Sequence, residues 1–293
     1  MDTKIKEEII FNSSLHKQLL TRLPSVPSTI CSEYVTEIHY HPLIKAVFIN
    51  DIQLLNYLVN KNIDVGKIYN TSDGEDVFTA LMFAAFFGRD KCVKILAKTK
   101  EVGIKTREEK TALMFAAMEG HDKCVSILAK TKELGMVSEY RNTALMWAAN
   151  EGHDKCVTIL AKTKESGMKN NYNSTALMWA ANEGRDKCVA ILAKTKELGM
   201  KCWHSETALI KAAKCGHNKC VAILAITKEL GMKDRDTFTA LMYAVAKGHD
   251  ECVAILAKTK EVNIKDEYGS SVLRNALRCG HTKYVKLLSN TKQ

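Results

Sequence analysis

Proline is nearly absent from this chain of 293 residues: there are three, all before residue 43. Over the last 250 residues, roughly, no ring removes a backbone donor or blocks a helix. Aromatics are scarce at 7% of residues. No run approaches the 18 or so consecutive apolar residues that a membrane-spanning helix needs. Met1–Ile10 carries Lys4, Lys6, Glu7 and Glu8 where a signal peptide would carry an apolar core. The ten cysteines are not spaced as close pairs. These features predict an intracellular, most simply cytoplasmic, protein with free thiols. There is no glycine-rich phosphate loop, nucleophile elbow or kinase signature, so no catalytic residue and no cofactor is assigned.

What the chain does have is a period. Thr-Ala-Leu-Met starts at Thr79, Thr111, Thr143, Thr175 and Thr239, with variants at Thr207 and Ser271, every start 32 residues from the last. Nine residues after each start stands a glycine, from Gly88 to Gly280. Such periods mark stacked repeats, each of which cannot bury its apolar face alone. An earlier, divergent copy reads His41-Pro42-Leu43-Ile44-Lys45-Ala46-Val47 and starts 38 residues before Thr79. Its extra length falls in Lys61–Phe78, and Asn50 takes the place of the glycine.

One copy reads as two helices and a return loop. Thr111 is a helix-capping residue type, and Ala112–Met118 forms the first helix with Leu113, Ala116 and Ala117 inward. Gly120 ends it in a conformation that a Cβ would disfavour. Asp122–Lys132 forms a second helix with the stripe Cys124, Val125, Ile127 and Leu128. Glu133–Asn142 returns as a polar hairpin. Eight such units predict an all-α solenoid, a curved rod about 80 Å long at roughly 10 Å per helix spacing. Three regions follow: 1–40, a non-repeat helical cap; 41–78, the divergent first repeat with its long connection; and 79–293, seven regular copies, the last acting as a polar cap.

Thr-Ala-Leu-Met-x-Ala-Ala-x-x-Gly-His-x-x-Cys-Val-x-x-Leu-Ala resembles the ankyrin repeat over residues 41–293. The Thr-Ala-Leu-Met spelling is similar to that of ankyrin-only arrays of some protozoa. The resemblance implies a solenoid that binds protein through its first helices and hairpin tips. Three departures stand out. Ala80 replaces the family's Pro and Met82 its His, which removes that side chain's hydrogen bonds. The hairpin's Asp-x-x-Gly survives only at Asp266–Gly269; Glu109, Arg141, Asn173, Ser205 and Thr237 stand where Gly would, predicting less regular tips.

The resemblance places candidate partner-binding residues where the copies differ. After Met in the first helix come Phe83, Phe115, Trp147, Trp179, Lys211 and Tyr243, an aromatic ladder that either anchors a partner or packs between neighbouring helices. Before the glycine come Phe86, Phe87, Met118, Asn150, Glu151, Asn182, Glu183, Lys214 and Lys247. The tips offer Tyr140, Tyr172, Trp203, His204 and Tyr268. Along the rod these change from apolar through acidic amide to basic, which predicts an elongated, charge-polarised partner.

Metal is not assigned. His-x-x-Cys recurs, as at His153/Cys156, but its Cys occupies an apolar position and its His an end-of-helix position used by the family for local hydrogen bonds. Glu133, Glu165, Glu197 and Glu229 read as surface positions. The net charge of +10 is uneven: residues 1–78 carry −3, the copy from Ser271 carries +5, and those from Thr111, Thr143 and Thr175 carry 0, +1 and +1. Divided this way it gives no continuous basic stripe, so nucleic acid is disfavoured. The expected function is a monomeric, non-catalytic scaffold or adaptor. The alternatives are a regulator or inhibitor of one enzyme such as a kinase, or a cytoskeleton-associated component.

Overall fold

A computed structural model describes residues 42–70 and 77–290. The expected cap over 1–40 lies outside the described residues. Eight helix pairs follow one another. They are α1 (Pro42–Phe48) with α2 (Ile52–Asn60), α3 (Ala80–Phe86) with α4 (Asp90–Leu96), α5 (Ala112–Met118) with α6 (Asp122–Leu128), and α7 (Ala144–Glu151) with α8 (Asp154–Leu160). Then come α9 (Ala176–Asn182) with α10 (Asp186–Leu192), α11 (Ala208–Cys215) with α12 (Asn218–Leu224), α13 (Ala240–Lys247) with α14 (Asp250–Leu256), and α15 (Val272–Arg278) with α16 (Thr282–Asn290). First helices pack on first helices and second on second, giving two layers. In the long connection after α2, β1 (Tyr69–Asn70) pairs antiparallel with β2 (Val77–Phe78).

Each first helix is short because its ends are fixed. The threonine before it is extended, as at Thr143 (φ −91°, ψ 169°), and there its hydroxyl accepts from Met146 N–H. Thr111, Thr175 and Thr239 cap with the same backbone but without that side-chain bond. The glycine after it is left-handed, φ +88° at Gly152. The interior is built on small residues, Ala148 and Ala149 being fully buried, which lets neighbouring helices approach closely. Cys156, Val157 and Leu160 of α8 fill the space between layers. Each buried Val or Leu contributes about 1.5–3 kcal/mol relative to exposure. The cysteines belong to this core: burial pushes the Cys156 thiol up to about 12, so it behaves as a small apolar group.

The second helices end with their apolar stripe, short of the expected extent to Lys132. α6 stops at Leu128, because Thr131 turns back on it: its hydroxyl donates to Leu128 O (2.7 Å) and accepts from Glu133 N–H (3.3 Å). That turn drives Glu133 inward, contrary to the surface position expected for it and for Glu165, Glu197 and Glu229. One carboxylate oxygen accepts from Leu113 N–H at the start of its own first helix (2.7 Å). The other accepts from Gly103 N–H in the preceding unit's loop (2.9 Å). Glu101, Glu165, Glu197, Glu229 and Glu261 repeat the arrangement. Burial pushes these carboxyls above the usual range, and the two backbone N–H bonds and the capping threonine pull them back.

The histidines also act between units rather than locally. His153 Nε2 bonds Met118 O (2.8 Å), 35 residues back, and Arg185 Nε donates to Asn150 O in the same way. The ring needs room: a Cβ on Gly120 would lie 2.5 Å from His153 Nδ1.

The hairpin tips are regular despite lacking glycine. Glu109, Arg141, Asn173, Ser205 and Thr237 take φ from +58° to +62°, close to the +69° of Gly269. Adjacent tips then bond in register, as Asn171 N–H to Tyr140 O (3.0 Å) and Arg235 N–H to His204 O (3.0 Å). The tips therefore accept left-handed strain in order to keep the ladder.

Two outcomes follow. Glu165→Gln places an amide N–H2 against a backbone donor and is expected to destabilise the array by about 1–3 kcal/mol; an unchanged urea midpoint would refute the bridging role. Arg141→Gly removes a strained Cβ and is expected to stabilise by about 0.5–1 kcal/mol, net of glycine's greater unfolded freedom. Arg141→Ala, measured alongside by thermal melting, is expected to bring no gain.

Candidate protein-binding surface

The first-helix layer and the hairpins form one continuous face, and the candidate residues occupy it unequally. Phe83 and Phe115 are buried at 7% exposure. Phe78, from β2, packs against both rings at 5.4 and 5.5 Å. They belong to the core and are not available to a partner. Phe86 and Phe87 are half-buried and meet edge to face at 5.2 Å; Phe87 also packs on Phe48 and Phe86 on Phe115. Met118 is half-buried beside them.

In the next units no aromatic stands at the position of Phe78 to cover the ladder. Trp147 and Trp179 stand half-exposed and contact each other edge to face, centroids 5.9 Å apart. Lys110 Nζ lies 5.3 Å from the Trp147 ring centre. The ladder thus divides into a buried phenylalanine part and a half-open tryptophan part. Tyr140, Tyr172 and Trp203 are exposed on successive tips, and Tyr172 meets Trp203 edge to face at 6.3 Å.

A groove of about 360 Å³ opens where these features converge. Asn150, Tyr172, Trp179, Asn182, Glu183, Trp203 and Lys211 line it, all of them picked out by sequence. Aromatic faces with a few convergent polar groups are what an interface anchor site consists of. Asn150 donates to Glu151 and Asn182 to Glu183, each at 2.8 Å, so the amides orient the exposed carboxylates.

Sequence also picked out His204 on the lip of the groove, and missed three liners, Ser174, Met178 and Cys202, and the buried Glu206 just behind. Glu206 is the consequential one. It bonds Lys211 Nζ (3.0 Å) and Lys214 Nζ (2.8 Å). Burial pushes its carboxyl up, but the two lysines outweigh that and hold it below the usual range. Glu206 therefore offsets one of the two charges expected at Lys211 and Lys214, and the charge gradient read from sequence is shallower there. The signal was present: the residue before each capping Thr reads Phe78, Lys110, Asn142, Ser174, Glu206 and Phe238, and only one is acidic. Farther along, Tyr243 donates its hydroxyl to Asp234 (2.7 Å), is half-buried, and carries Lys214 Nζ 5.1 Å from its ring centre. Lys247 is exposed at the end of α13, outside the groove.

The His-x-x-Cys motifs do not converge. Cys156 points into the core, while the His153 ring bonds a carbonyl of the preceding unit. No described helix is long and apolar enough to cross a membrane.

Overlapping matches to the family described as "Ankyrin repeats (3 copies)" cover residues 43–135, 81–174, 131–205, 163–233, 198–266 and 225–293. Among solved structures, the human ASB11 ankyrin repeat domain is similar in fold: TM-score 0.56 and 23% identity, covering 68% of this chain and 92% of that one. No curated protein matches. Ankyrin repeats are generally protein–protein interaction modules. With matches running from residue 43 to residue 293 over a stack of helix pairs, the chain belongs to the ankyrin-repeat family.

Proposed function

We propose that this chain is a non-catalytic scaffold or adaptor that holds a partner protein in the groove centred on α9. The observation that carries this reading is the convergence of Tyr172, Trp179 and Trp203 with Asn182 and Glu183 in one open site. Rigid aromatics offer large contact area at low entropy cost, and they dominate interface energetics. Glu151 and Glu183 make the Asn150–Glu183 part of this face acidic, and Glu206 cancels one of the two charges of Lys211 and Lys214 beyond it. An extended partner segment carrying apolar and basic side chains fits it. The core thiols, one in each of the six units from Thr79 to Thr239, suit a reducing cytoplasm, and the protein acts there as a monomer. Regulation of a single enzyme uses the same surface and differs only in the partner.

The test replaces exposed residues that the fold does not need. Tyr172→Ala combined with Trp203→Ala is expected to lower recovery of partners by about tenfold or more, with an unchanged melting temperature. Glu183→Lys is expected to do the same through charge alone. Recovery of one stoichiometric enzyme by the wild type would favour the regulator over the scaffold. Equal recovery by wild type and both variants would remove the groove from the binding surface.

A further inference from the structure

The opposite layer carries a feature that counting charge unit by unit concealed. Each regular second helix closes on Ala-Lys-Thr-Lys-Glu or a close variant, with residues 19 and 21 positions after the unit's Thr on the surface. Eleven lysines occupy these positions between Lys98 and Lys260, and every one is exposed. None of them joins an ion pair among the described residues. The glutamate that follows is buried, with both oxygens taken by backbone N–H groups, and the aspartate that opens the helix lies about 10 Å away at 1.5 Å per residue. The lysines thus make two parallel rows that advance about 8–10 Å per unit.

The inner row is held in place. The Cε atoms of Lys132, Lys164 and Lys196 lie 2.5–2.7 Å from where a Cβ would stand on Gly103, Gly135 and Gly167 of the preceding units. Each stem therefore lies over the neighbouring loop and leaves its ammonium in solvent. The outer row is broken once. Where four units have Lys98, Lys130, Lys162 and Lys194, the next has Ile226, which is 89% exposed, more than any other large hydrophobic side chain described.

We propose that this edge docks on an anionic lipid bilayer, the lysines lying over the headgroups and Ile226 entering the acyl boundary. Lysine ammoniums are compact point charges suited to a diffuse anionic surface, and rows of them next to a bilayer act additively. The rows hold no arginine for bidentate phosphate contacts and no aromatic on which a base could stack, which favours lipid over nucleic acid. An exposed isoleucine among lysines has a use at a bilayer and none on a soluble polyanion. The rows belong to the second-helix layer and the groove to the first, so both surfaces can be occupied together, and the proposal does not rest on the groove.

The experiment is co-sedimentation of the full chain with vesicles of phosphatidylcholine alone, and of phosphatidylcholine with phosphatidylserine at about three to one. Retention is expected only on the mixed vesicles, with release as salt rises. Lys130→Glu/Lys162→Glu/Lys194→Glu is expected to lower partitioning about tenfold or more. The matching Lys→Gln triple, which adds no acid to the fold, is expected to give a smaller loss. Ile226→Ser is expected to weaken binding several-fold without altering its salt dependence. Equal sedimentation with both vesicle types, or triple variants that bind like wild type, would overturn the proposal. So would an unchanged Ile226→Ser variant, or a DNA duplex of equal phosphate concentration that binds wild type as tightly as the mixed vesicles do.

Discussion

A buried carboxylate ties each of the six units from Thr79 to Thr239 to the one before it, and the rest of the architecture follows from its reach. One oxygen of Glu165 holds the N-terminus of its own first helix and the other holds the loop of the preceding unit. The sequence separations are 20 and 30 residues, and they repeat down the array. An insertion between either pair of anchors would pull the carboxylate off one donor and leave a charge in the core with half its partners, which is strongly unfavourable. This is the physical basis of a spacing of 32 residues without exception. The first connection shows where length can be added. Glu101 still reaches Leu81 at 20 residues, but reaches Gly66 at 35. Five of the six extra residues lie between the two donors, where neither bond feels them.

The same carboxylates account for the Ala-Lys-Thr-Lys-Glu run. Threonine ends the helix, glutamate turns in, and the lysines on either side of that threonine have nowhere to go but out. Removing the glutamate from water opposes its ionisation, and donors on two units offset the cost. Folding a unit without its predecessor would leave one oxygen unpaired, so each unit's polar accounting closes only against a neighbour. Histidine and arginine reaching back 35 residues, and hairpin tips bonded edge to edge, reinforce that coupling. Both outer surfaces gain rigidity in consequence.

Much of the fold was legible because it rests on apolar period and helix punctuation. The first helix from Ala112 to Met118 is where threonine and glycine place it. The parts that were not legible involve residues in roles unusual for their type. A glutamate beside lysines reads as solvated, since carboxylates are seldom buried; the clue was that six copies keep it while the lysine three residues before it gives way in one of them to Ile226. The left-handed Arg141 and Ser205 are invisible to propensity, because neighbouring tips impose that conformation. The aromatic ladder reads as one feature, yet Phe83 and Phe115 are core and Trp147 and Trp179 are half-open. What separates them is Phe78, which sits in the connection of another unit.

The sites were legible only where the copies disagree, and for a physical reason. Positions that hold the carboxylate, the paired alanines and the left-handed glycine have almost no freedom, so partner-specific variation collects elsewhere. It collects on two faces with opposite electrostatics. On the first-helix face, Glu206 offsets half the charge of Lys211 and Lys214, and Glu151 and Glu183 stand beside tryptophan and tyrosine. On the second-helix face, the lysines keep their charge because the adjacent glutamates are committed to backbone donors. A net charge of +10 therefore says little about the groove. It describes the other side of the rod, and a partner drawn to one face need not resemble what is drawn to the other.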